Sequence, residues 1–286
     1  MRFAFIRQHR TRWPVRLQCQ ALSVSRSGYY AWTRRPPSRR DRRQEELTGR
    51  LRHSFEQSRR RYGSPRLTAE LRAGGEKVSR KTVEKLMRLS GLRVTRRRRF
   101  VPRTTDSSHA GPIAVNKLSR RFAADGPNRK WVCDITYIPT RQGWLYLAVV
   151  MDLFSRRIVG WGMRDHLRVE LVAQALAMAI RTRRPAAGLL HHSDRGCQYA
   201  SEDYRRILNQ HGIDASMSGR GNCYDNAVVE SFFGTLKTEL VNEADYATRD
   251  QACQSLFEWI EVVYNRQRRH SALEYLSPEA FEARIN

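Results

Sequence analysis

Cysteine and long apolar runs are both scarce in this sequence of 286 residues, and each scarcity excludes a class of protein. The cysteines are odd in number, far apart and without a CxxC pair; they are Cys19, Cys133, Cys197, Cys223 and Cys253. A disulfide framework or a structural zinc site is therefore not expected, whereas a reducing cytoplasm is. No apolar stretch approaches the roughly 20 residues of a membrane span, and the N-terminus has no signal-peptide core. We expect no association with a membrane.

Acidic residues are scarce in the first third of the chain. Residues 1–100 contain 29 Lys and Arg but only 7 Asp and Glu, a balance of +22 out of +25 for the whole chain. The remaining residues contain 24 basic and 21 acidic side chains and are nearly neutral. This asymmetry indicates a polyanion-binding region joined to a separate working domain. The basic residues are mostly arginines, which suit bidentate contacts with phosphate and guanine.

The pattern of residues 14–33 predicts a short helix, a turn and a second helix. Ser23-Val24-Ser25 interrupts the apolar positions and offers a serine that can cap the second helix. We interpret residues 1–38 as a helix-turn-helix-like segment, although this common pattern does not by itself establish DNA contact. The expected apolar positions are Val15, Leu17, Ala21, Leu22, Tyr29, Tyr30 and Trp32.

Residues 39–92 predict a second helical, DNA-binding domain of the same kind. Apolar residues recur every three or four positions in three stretches, the second ended by Gly74-Gly75 and the third by Gly91. Ser79 is the expected N-cap of the third helix. The cations of its first turns are Arg80, Lys81 and Lys85. A basic second helix is typical of a helix-turn-helix. The alternative is a three-helix bundle whose lysines only keep it soluble, and the charge balance favours DNA contact.

Residues 93–125 lack hydrophobic periodicity and predict a basic linker between the helical region and the rest of the chain. The linker contains an unbroken run of cations, which we expect to follow phosphates rather than to read bases. These cations are Arg96, Arg97, Arg98 and Arg99.

Residues 126–286 change to an α/β pattern. Three strand-like runs at 131–138, 144–151 and 156–163 are joined by short turns and predict an antiparallel meander. Helices and strands then alternate, so we predict a mixed five-stranded sheet covered by helices. The later elements are expected at 169–181, 188–192, 201–211, 213–217, around Glu230 and at 249–266.

Three acidic residues lie at positions where such an α/β domain can bring their carboxylates together. Asp134 in WVCDITYIP lies within the first predicted strand, Asp194 in HHSDRGCQY follows the fourth, and Glu230 in DNAVVESFFGTLKTEL lies in a helical pattern. Carboxylates that meet at a sheet edge repel one another unless a cation lies between them. Mg²⁺ and Mn²⁺ prefer oxygen ligands, and a pair of such ions can activate a nucleophile at a phosphodiester. Spacing alone is weak, because the chain has 28 Asp and Glu.

The sequence around the three acids resembles the catalytic core of DDE transposases and retroviral integrases. It is most similar to the orfB-type transposases of the insertion-sequence-three family. The matching segments are WVCDITYIPT with GWLYLAVVMDLFSRRIVGW, then HSDRGCQY, then GNCYDNAVVESFFGTLKTEL. The 35 residues between Asp194 and Glu230 fit this family, as does Lys237, seven positions after Glu230. The N-terminal MRFAFIRQHR and SVSRSGYYAW are also similar, so the resemblance covers essentially the whole chain.

The resemblance implies an RNase-H-like core that cuts and joins DNA at the ends of a mobile element, hence a DDE-type polynucleotidyl transferase. Asp134, Asp194 and Glu230 would be its catalytic residues and would ligate Mg²⁺ or Mn²⁺, two ions per site. The partners would be double-stranded DNA, as terminal repeats and as target, and further copies of the chain on that DNA. The family also implies a bacterial, nucleoid-associated protein that cooperates with, or is fused to, a DNA-binding segment from an upstream frame.

Several polar residues near the acids have two interpretations each. Asn226 and Lys237 share the helix face of Glu230, where Asn226 could orient the carboxylate or touch DNA and Lys237 could bind a phosphate. Asp152 is expected to pair with the arginines that follow it rather than to serve as a fourth ligand. The glycine-rich loop 218–222 is either a mobile element that closes on DNA or a plain connection.

Two other functions stay open at this point. An RNase-H-like nuclease would share the carboxylates and only cleave, so joined products would distinguish a transposase from it. A non-catalytic DNA-binding regulator would need the helical region alone. Because all three acids are present in the matching motifs, an enzyme is favoured over a regulator.

Overall fold

The computed structural model describes residues 1–94, 112–219 and 223–285. Two compact units divide the chain, Met1–Arg93 and Val94–Asn286. Within the described ranges, no helix is both long and apolar enough to cross a membrane. The finer division at residues 38, 92 and 125 stays a prediction. The predicted linker cations and part of the glycine-rich loop lie outside the described residues; they are Arg96, Arg97, Arg98, Arg99 and residues 220–222.

The N-terminal unit is built from helices. They are α1 (Arg2–His9), α2 (Val15–Ala21), α3 (Arg26–Arg34), α4 (Arg39–Gln57), α5 (Ser64–Ala73) and α6 (Arg80–Leu89). The sequence pattern did not predict α1, whose side chains are mostly exposed and show no clear apolar face. The other five agree with the predicted helices, and Ser79 caps α6 as expected by accepting a hydrogen bond from the Thr82 amide at 3.2 Å.

Helices α1 to α3 share a small core formed by Ile6, Cys19 and Tyr29. Two positions expected in that core, Leu17 and Tyr30, are instead 57% and 44% exposed. The physical reason is the helical period of 3.6 residues, which turns Leu17 away from the face of Cys19 and Tyr30 away from that of Tyr29.

Helices α4 to α6 bury one stripe each, as predicted. The buried side chains are Leu47, Leu51 and Phe55 of α4, Leu67 and Leu71 of α5, and Val83, Leu86 and Met87 of α6. Glu76, in the turn between α5 and α6, is buried and forms ion pairs with Arg43 and Arg50 of α4. These pairs tie the turn to α4 and fix the angle between the helices.

The C-terminal unit contains a five-stranded sheet in the order β3-β2-β1-β4-β5. The strands are β1 (Lys130–Thr140), β2 (Gly143–Asp152), β3 (Ile158–Arg164), β4 (Leu190–Ser193) and β5 (Asp214–Met217). The first three form the predicted antiparallel meander, whereas β4 and β5 run parallel to β1. The mixed sheet is therefore confirmed.

Helices cover both faces of this sheet. They are α7 (Val169–Arg183), α8 (Cys197–Ala200), α9 (Glu202–Gln210), α10 (Ala227–Glu239), α11 (Arg249–Glu258) and α12 (Pro278–Ala283). Helix α11 continues as a π-helical segment, Trp259–Gln267. Neither α8 nor α12 was predicted, because four to six residues are too few to show a period.

The closest packing in this unit lies between β3 and α7. A Cβ atom at Gly160 would lie 2.1 Å from the carbonyl oxygen of Ala175, and one at Gly162 would lie 2.6 Å from that of Leu171. Glycine at alternate positions of β3 therefore lets the backbone of α7 approach the sheet. The other face of the sheet packs against α10 and α11, in a core that includes Phe232, Leu236 and Leu256.

Candidate active site

Asp134 lies in β1, and Asp194 directly follows β4, the parallel neighbour of β1. The pairing of β1 with β4 aligns Val132 with His192, two residues before each aspartate. Neighbouring strands lie about 4.8 Å apart, so the two carboxylates emerge at the same level of the sheet edge. Each is held by a backbone amide: Ile135 N donates to Asp134 Oδ1 at 2.8 Å, and Gly196 N donates to Asp194 Oδ1 at 3.0 Å.

The electrostatic setting of Asp134 opposes its negative charge. Burial raises the pKa of Asp134 well above its ordinary value, and the charges of Asp194 and Glu230 raise it further. The amide of Ile135 and the ammonium of Lys237 lower that pKa. Three carboxylates therefore act on one another here, and the ionised form of Asp134 gains stability from any added cation.

Glu230 and Lys237 both project from α10, two helical turns apart. Glu230 is exposed and Lys237 is half-buried. Across residues 1–94, 112–219 and 223–285, no three His, Cys, Asp or Glu side chains are already arranged to hold a metal ion. The donor chemistry fits a hard divalent ion, since the candidate ligands are all carboxylates and their mutual repulsion demands a cation. Glu230 lies near enough to Asp134 for its charge to raise the pKa of that aspartate.

Helix α10 is anchored to the sheet at its start and to the C-terminal motif at its end. The buried Asn226 donates its side-chain amide to the carbonyl oxygen of Cys133, the neighbour of Asp134, at 3.2 Å. At the other end, Arg268 makes a buried, bidentate ion pair with Glu239 at 2.8 to 3.1 Å. The helix that carries Glu230 therefore has a defined position relative to β1.

Two neutral histidines lie in β4, immediately before Asp194. Burial lowers the pKa of His191 to about 3 and that of His192 to about 4. His192 bonds through Nδ1 to Ser216 Oγ at 2.8 Å and through Nε2 to Ser218 Oγ at 3.2 Å. His192 thus joins β4 to β5 and to the residue that follows β5 through its hydrogen bonds.

Asp152 ends β2 and pairs with Trp131, three positions before Asp134 in β1. It is fully buried and accepts hydrogen bonds from the amides of Asn128 and Phe154. Its ion-pair partner is Arg183 of α7 at 3.6 Å. The expected pairing with the arginines that follow it in sequence was therefore wrong, and Arg157 pairs with Glu279 and Glu282 instead.

The predicted DNA-contacting cations of α6 differ in their surroundings. Arg80 pairs with Glu84 at 2.8 Å on the same helix, whereas Lys81 and Lys85 line a groove of about 370 Å³ between α4 and α6. Arg40 and Arg43 of α4 line the groove from the other side. Four cations along one groove form a surface suited to phosphate.

The sequence motifs contained further structural residues that the pattern did not single out. Asp225 directly precedes Asn226 in the motif of Glu230 and is 1% exposed. Glu239 and Arg268 were not predicted either, because an ion pair between residues 29 positions apart produces no periodic pattern in the sequence. The polar run YNRQRRH was the available signal for Arg268.

Comparison with known proteins supplies independent findings. The integrase core domain family matches residues 124–223 and, in a second family of the same description, residues 211–278. An HTH-like domain family matches residues 42–100.

Two curated relatives match over nearly their full length. The insertion element IS600 uncharacterized 31 kDa protein of Shigella sonnei is 46% identical over 94% of this chain and 98% of that protein. The transposase InsF for insertion sequence IS3A of Escherichia coli (strain K12) is 43% identical over 99% of this chain and 98% of that protein.

A solved structure of the HTLV-2 integrase catalytic core domain in complex with magnesium aligns with 56% of this chain and 99% of that chain. The sequence identity is 16% and the TM-score is 0.44, a likeness too weak to support any conclusion about this site.

Proposed function

Because the chain belongs to the family of IS3 transposases, with an HTH-like domain before an integrase core, we propose specific roles for its acidic and basic residues. The enzyme is a transposase, which cleaves and joins DNA strands. Asp134, Asp194 and Glu230 act as its catalytic carboxylates, and the helical unit binds the ends of the element. The observation that carries this proposal is the register of β1 with β4, which aligns Val132 with His192 and so brings Asp134 and Asp194 to the same level. The charges of Asp194 and Glu230 both raise the pKa of Asp134, in keeping with this arrangement.

The chemistry needs hard divalent ions, Mg²⁺ or Mn²⁺, and we propose two per site. When bound, such ions activate the attacking oxygen and neutralise charge on the phosphodiester. Asp134 and Asp194 would hold them from adjacent strand ends, and Glu230 would complete the set from α10. The backbone amides at Ile135 and Gly196 keep one oxygen of each aspartate oriented.

The protein itself mainly orients the DNA for two successive reactions. Water attacks a phosphodiester first and releases a 3′-hydroxyl, which then attacks a phosphodiester of the target. Lys237, close enough to lower the pKa of Asp134, would bind a phosphate beside the scissile bond. We assign to Asn226 the role of holding the start of α10, through its bond to the carbonyl of Cys133.

DNA binding is assigned to the cationic groove between α4 and α6. Lys81 and Lys85 would contact phosphates directly, with Arg80 beside them on the first turn of α6. The linker arginines Arg96, Arg97, Arg98 and Arg99 would extend this contact along the backbone. Joining two element ends also requires more than one copy of the chain on DNA, and a DNA-binding segment from an upstream frame could contribute to end recognition.

A pre-formed branched DNA tests the proposal without requiring end recognition. Wild-type protein should break the branch and reseal the strands with Mg²⁺ or Mn²⁺, whereas Asp194→Asn should do neither. Asp203→Asn, on the surface of α9 and paired with Arg206, is the matched control and should behave as wild type. Cleavage without resealing would favour a plain nuclease. Tight, salt-sensitive DNA binding without any chemistry in the wild type would contradict the assignment of an active transposase.

A further inference from the structure

Asp225 is a buried acid that the proposed chemistry does not use. It lies in the 3-10 turn Cys223–Asn226 that leads into α10, five residues before Glu230, and is 1% exposed. Its Oδ2 accepts hydrogen bonds from Asn116 Nδ2 at 2.8 Å and from the Gly219 amide at 3.2 Å. Its Oδ1 accepts one from Arg120 Nε at 3.3 Å. A buried carboxylate is costly, and these donors offset its cost.

The partners of Asp225 come from two separate parts of the chain. Asn116 and Arg120 belong to the segment that enters the catalytic unit before β1, and Gly219 follows β5. One carboxylate therefore joins the entering segment, the end of β5 and the start of α10. Only a group with several acceptor positions can serve three donors at once.

The entering segment is itself fixed to the sheet. Ser216 Oγ in β5 accepts hydrogen bonds from the amides of Lys117 at 2.9 Å and Leu118 at 3.3 Å. The same hydroxyl bonds to His192 in β4, two residues before Asp194, and Leu118 is 1% exposed in the core. Asp225 is thus tied to a rigid part of the molecule that also carries Asp194.

We propose that Asp225 is a positioning residue, which fixes the first turn of α10 against residues 116–120 and so sets the approach of Glu230 to the two aspartates. The inference rests on the proposed function, since it concerns the geometry of the same three acids. Asn226 holds the same turn to β1. Together they anchor the turn to β1, which bears Asp134, and through residues 116–120 and Gly219 to β5, which pairs with the strand that precedes Asp194.

Two matched substitutions test this role. Asp225→Asn replaces an acceptor oxygen with an amide donor, which must face the donors of Asn116, Gly219 or Arg120 and cannot satisfy all three. Adding Asn116→Asp restores the bond between positions 116 and 225 with donor and acceptor exchanged and with the net charge of the wild type. An aspartate at 116 can also still accept from the Ser119 amide, as Asn116 does at 2.9 Å. Asp203→Asn again serves as the surface control.

Two readouts are required: single-turnover joining on branched DNA, and hydrogen exchange of the amides of residues 227–233 in metal-free protein. Asp225→Asn should join at least about tenfold more slowly with unchanged DNA affinity, and its exchange at the start of α10 should be about tenfold faster. The double variant should recover part of both losses, because the bond between positions 116 and 225 is regained while the Gly219 amide still faces the side-chain amide of residue 225.

The inference is overturned if Asp225→Asn leaves both quantities unchanged, or if the double variant recovers neither of them even in part. It is also overturned if exchange accelerates equally in α7, which would indicate a general loss of stability. Absence of joining in the wild type would contradict the proposed function alone, because the exchange measurement still tests whether Asp225 fixes the start of α10.

Discussion

At the scale of single residues, the surroundings of Asp134 disfavour the ionised form of its carboxyl group. Its pKa is raised by burial and by two neighbouring carboxylates. Between the ordinary and the raised pKa, the folded protein binds a proton that the unfolded chain has lost. The free energy of unfolding therefore falls as the pH rises through this window, and it stays reduced above it.

This setting predicts that Asp134→Asn stabilises the metal-free protein while abolishing joining. At pH 8 the neutral amide avoids the repulsion and can still accept from the Ile135 amide, so the free energy of unfolding should rise by about 1 kcal/mol or more. Urea unfolding at pH 5 and pH 8 measures the free energy of unfolding of both proteins. The difference between the variant and the wild type should be larger at pH 8. Equal or lower stability of the variant at pH 8 would contradict the electrostatic account.

The sequence located these three acids because their motifs are local and each carries its own signature. It did not locate Asp225, Glu239 or Arg268, whose side-chain partners lie 29 to 109 positions away in the chain. Long-range hydrogen bonds depend on how the elements pack, which periodicity does not encode. The pairing of Asp152 with Arg183 escaped prediction for the same reason.

At the scale of elements, α10 is held at its C-terminal end by the pair of Glu239 with Arg268. Arg268→Ala would leave Glu239 buried and uncompensated, which we expect to cost about 3–5 kcal/mol of stability. Arg141→Ala is the matched control, because the partner of Arg141 is Asp245 and both side chains are 69% exposed. That control should cost less than about 1 kcal/mol. Similar losses of stability in the two variants would show that the buried ion pair stabilises the protein no more than the exposed one.

The contact between β3 and α7 gives a second prediction at this scale. Gly160→Ala places a Cβ 2.1 Å from a backbone oxygen of α7, so the helix must move and the catalytic unit should lose about 3 kcal/mol. In α4, Gly49→Ala meets nothing within 4 Å and should stabilise the helical unit by about 0.5–1 kcal/mol. Chemical denaturation of both variants checks the opposite signs.

Strands and long helices were predictable because two-residue alternation and apolar stripes extend over many positions. Helices α8 and α12 were too short for such a signal, and α1 has no clear apolar face. The π-helical continuation of α11 has the composition of an ordinary helix. The amide of Asn265, which bonds to both the N–H and the carbonyl of Ile158 at 3.0 Å, ties that segment to β3.

At the scale of the whole molecule, charge is distributed unevenly along the chain, and the basic excess is concentrated in residues 1–100. DNA binding should therefore weaken steeply with salt. Lys81→Ala and Lys85→Ala should each lower the slope of log affinity against log salt by about one. Arg206→Ala, on the surface of α9 and paired with Asp203, should leave the slope unchanged. Fluorescence anisotropy over a salt series measures it, and unchanged slopes in both lysine variants would exclude the groove from DNA contact.

The most direct test of the central claim, that the three acids hold catalytic metal ions, is a change of metal preference. In Asp194→Cys a thiolate replaces a carboxylate, and thiolates bind the hard ion Mg²⁺ poorly but accept softer ions. We predict that single-turnover joining on branched DNA is lost in Mg²⁺ and partly restored in Mn²⁺ or Cd²⁺, while Asp203→Cys keeps the wild-type preference. Equal activity of Asp194→Cys in Mg²⁺ and in the softer ions would contradict metal ligation by this residue.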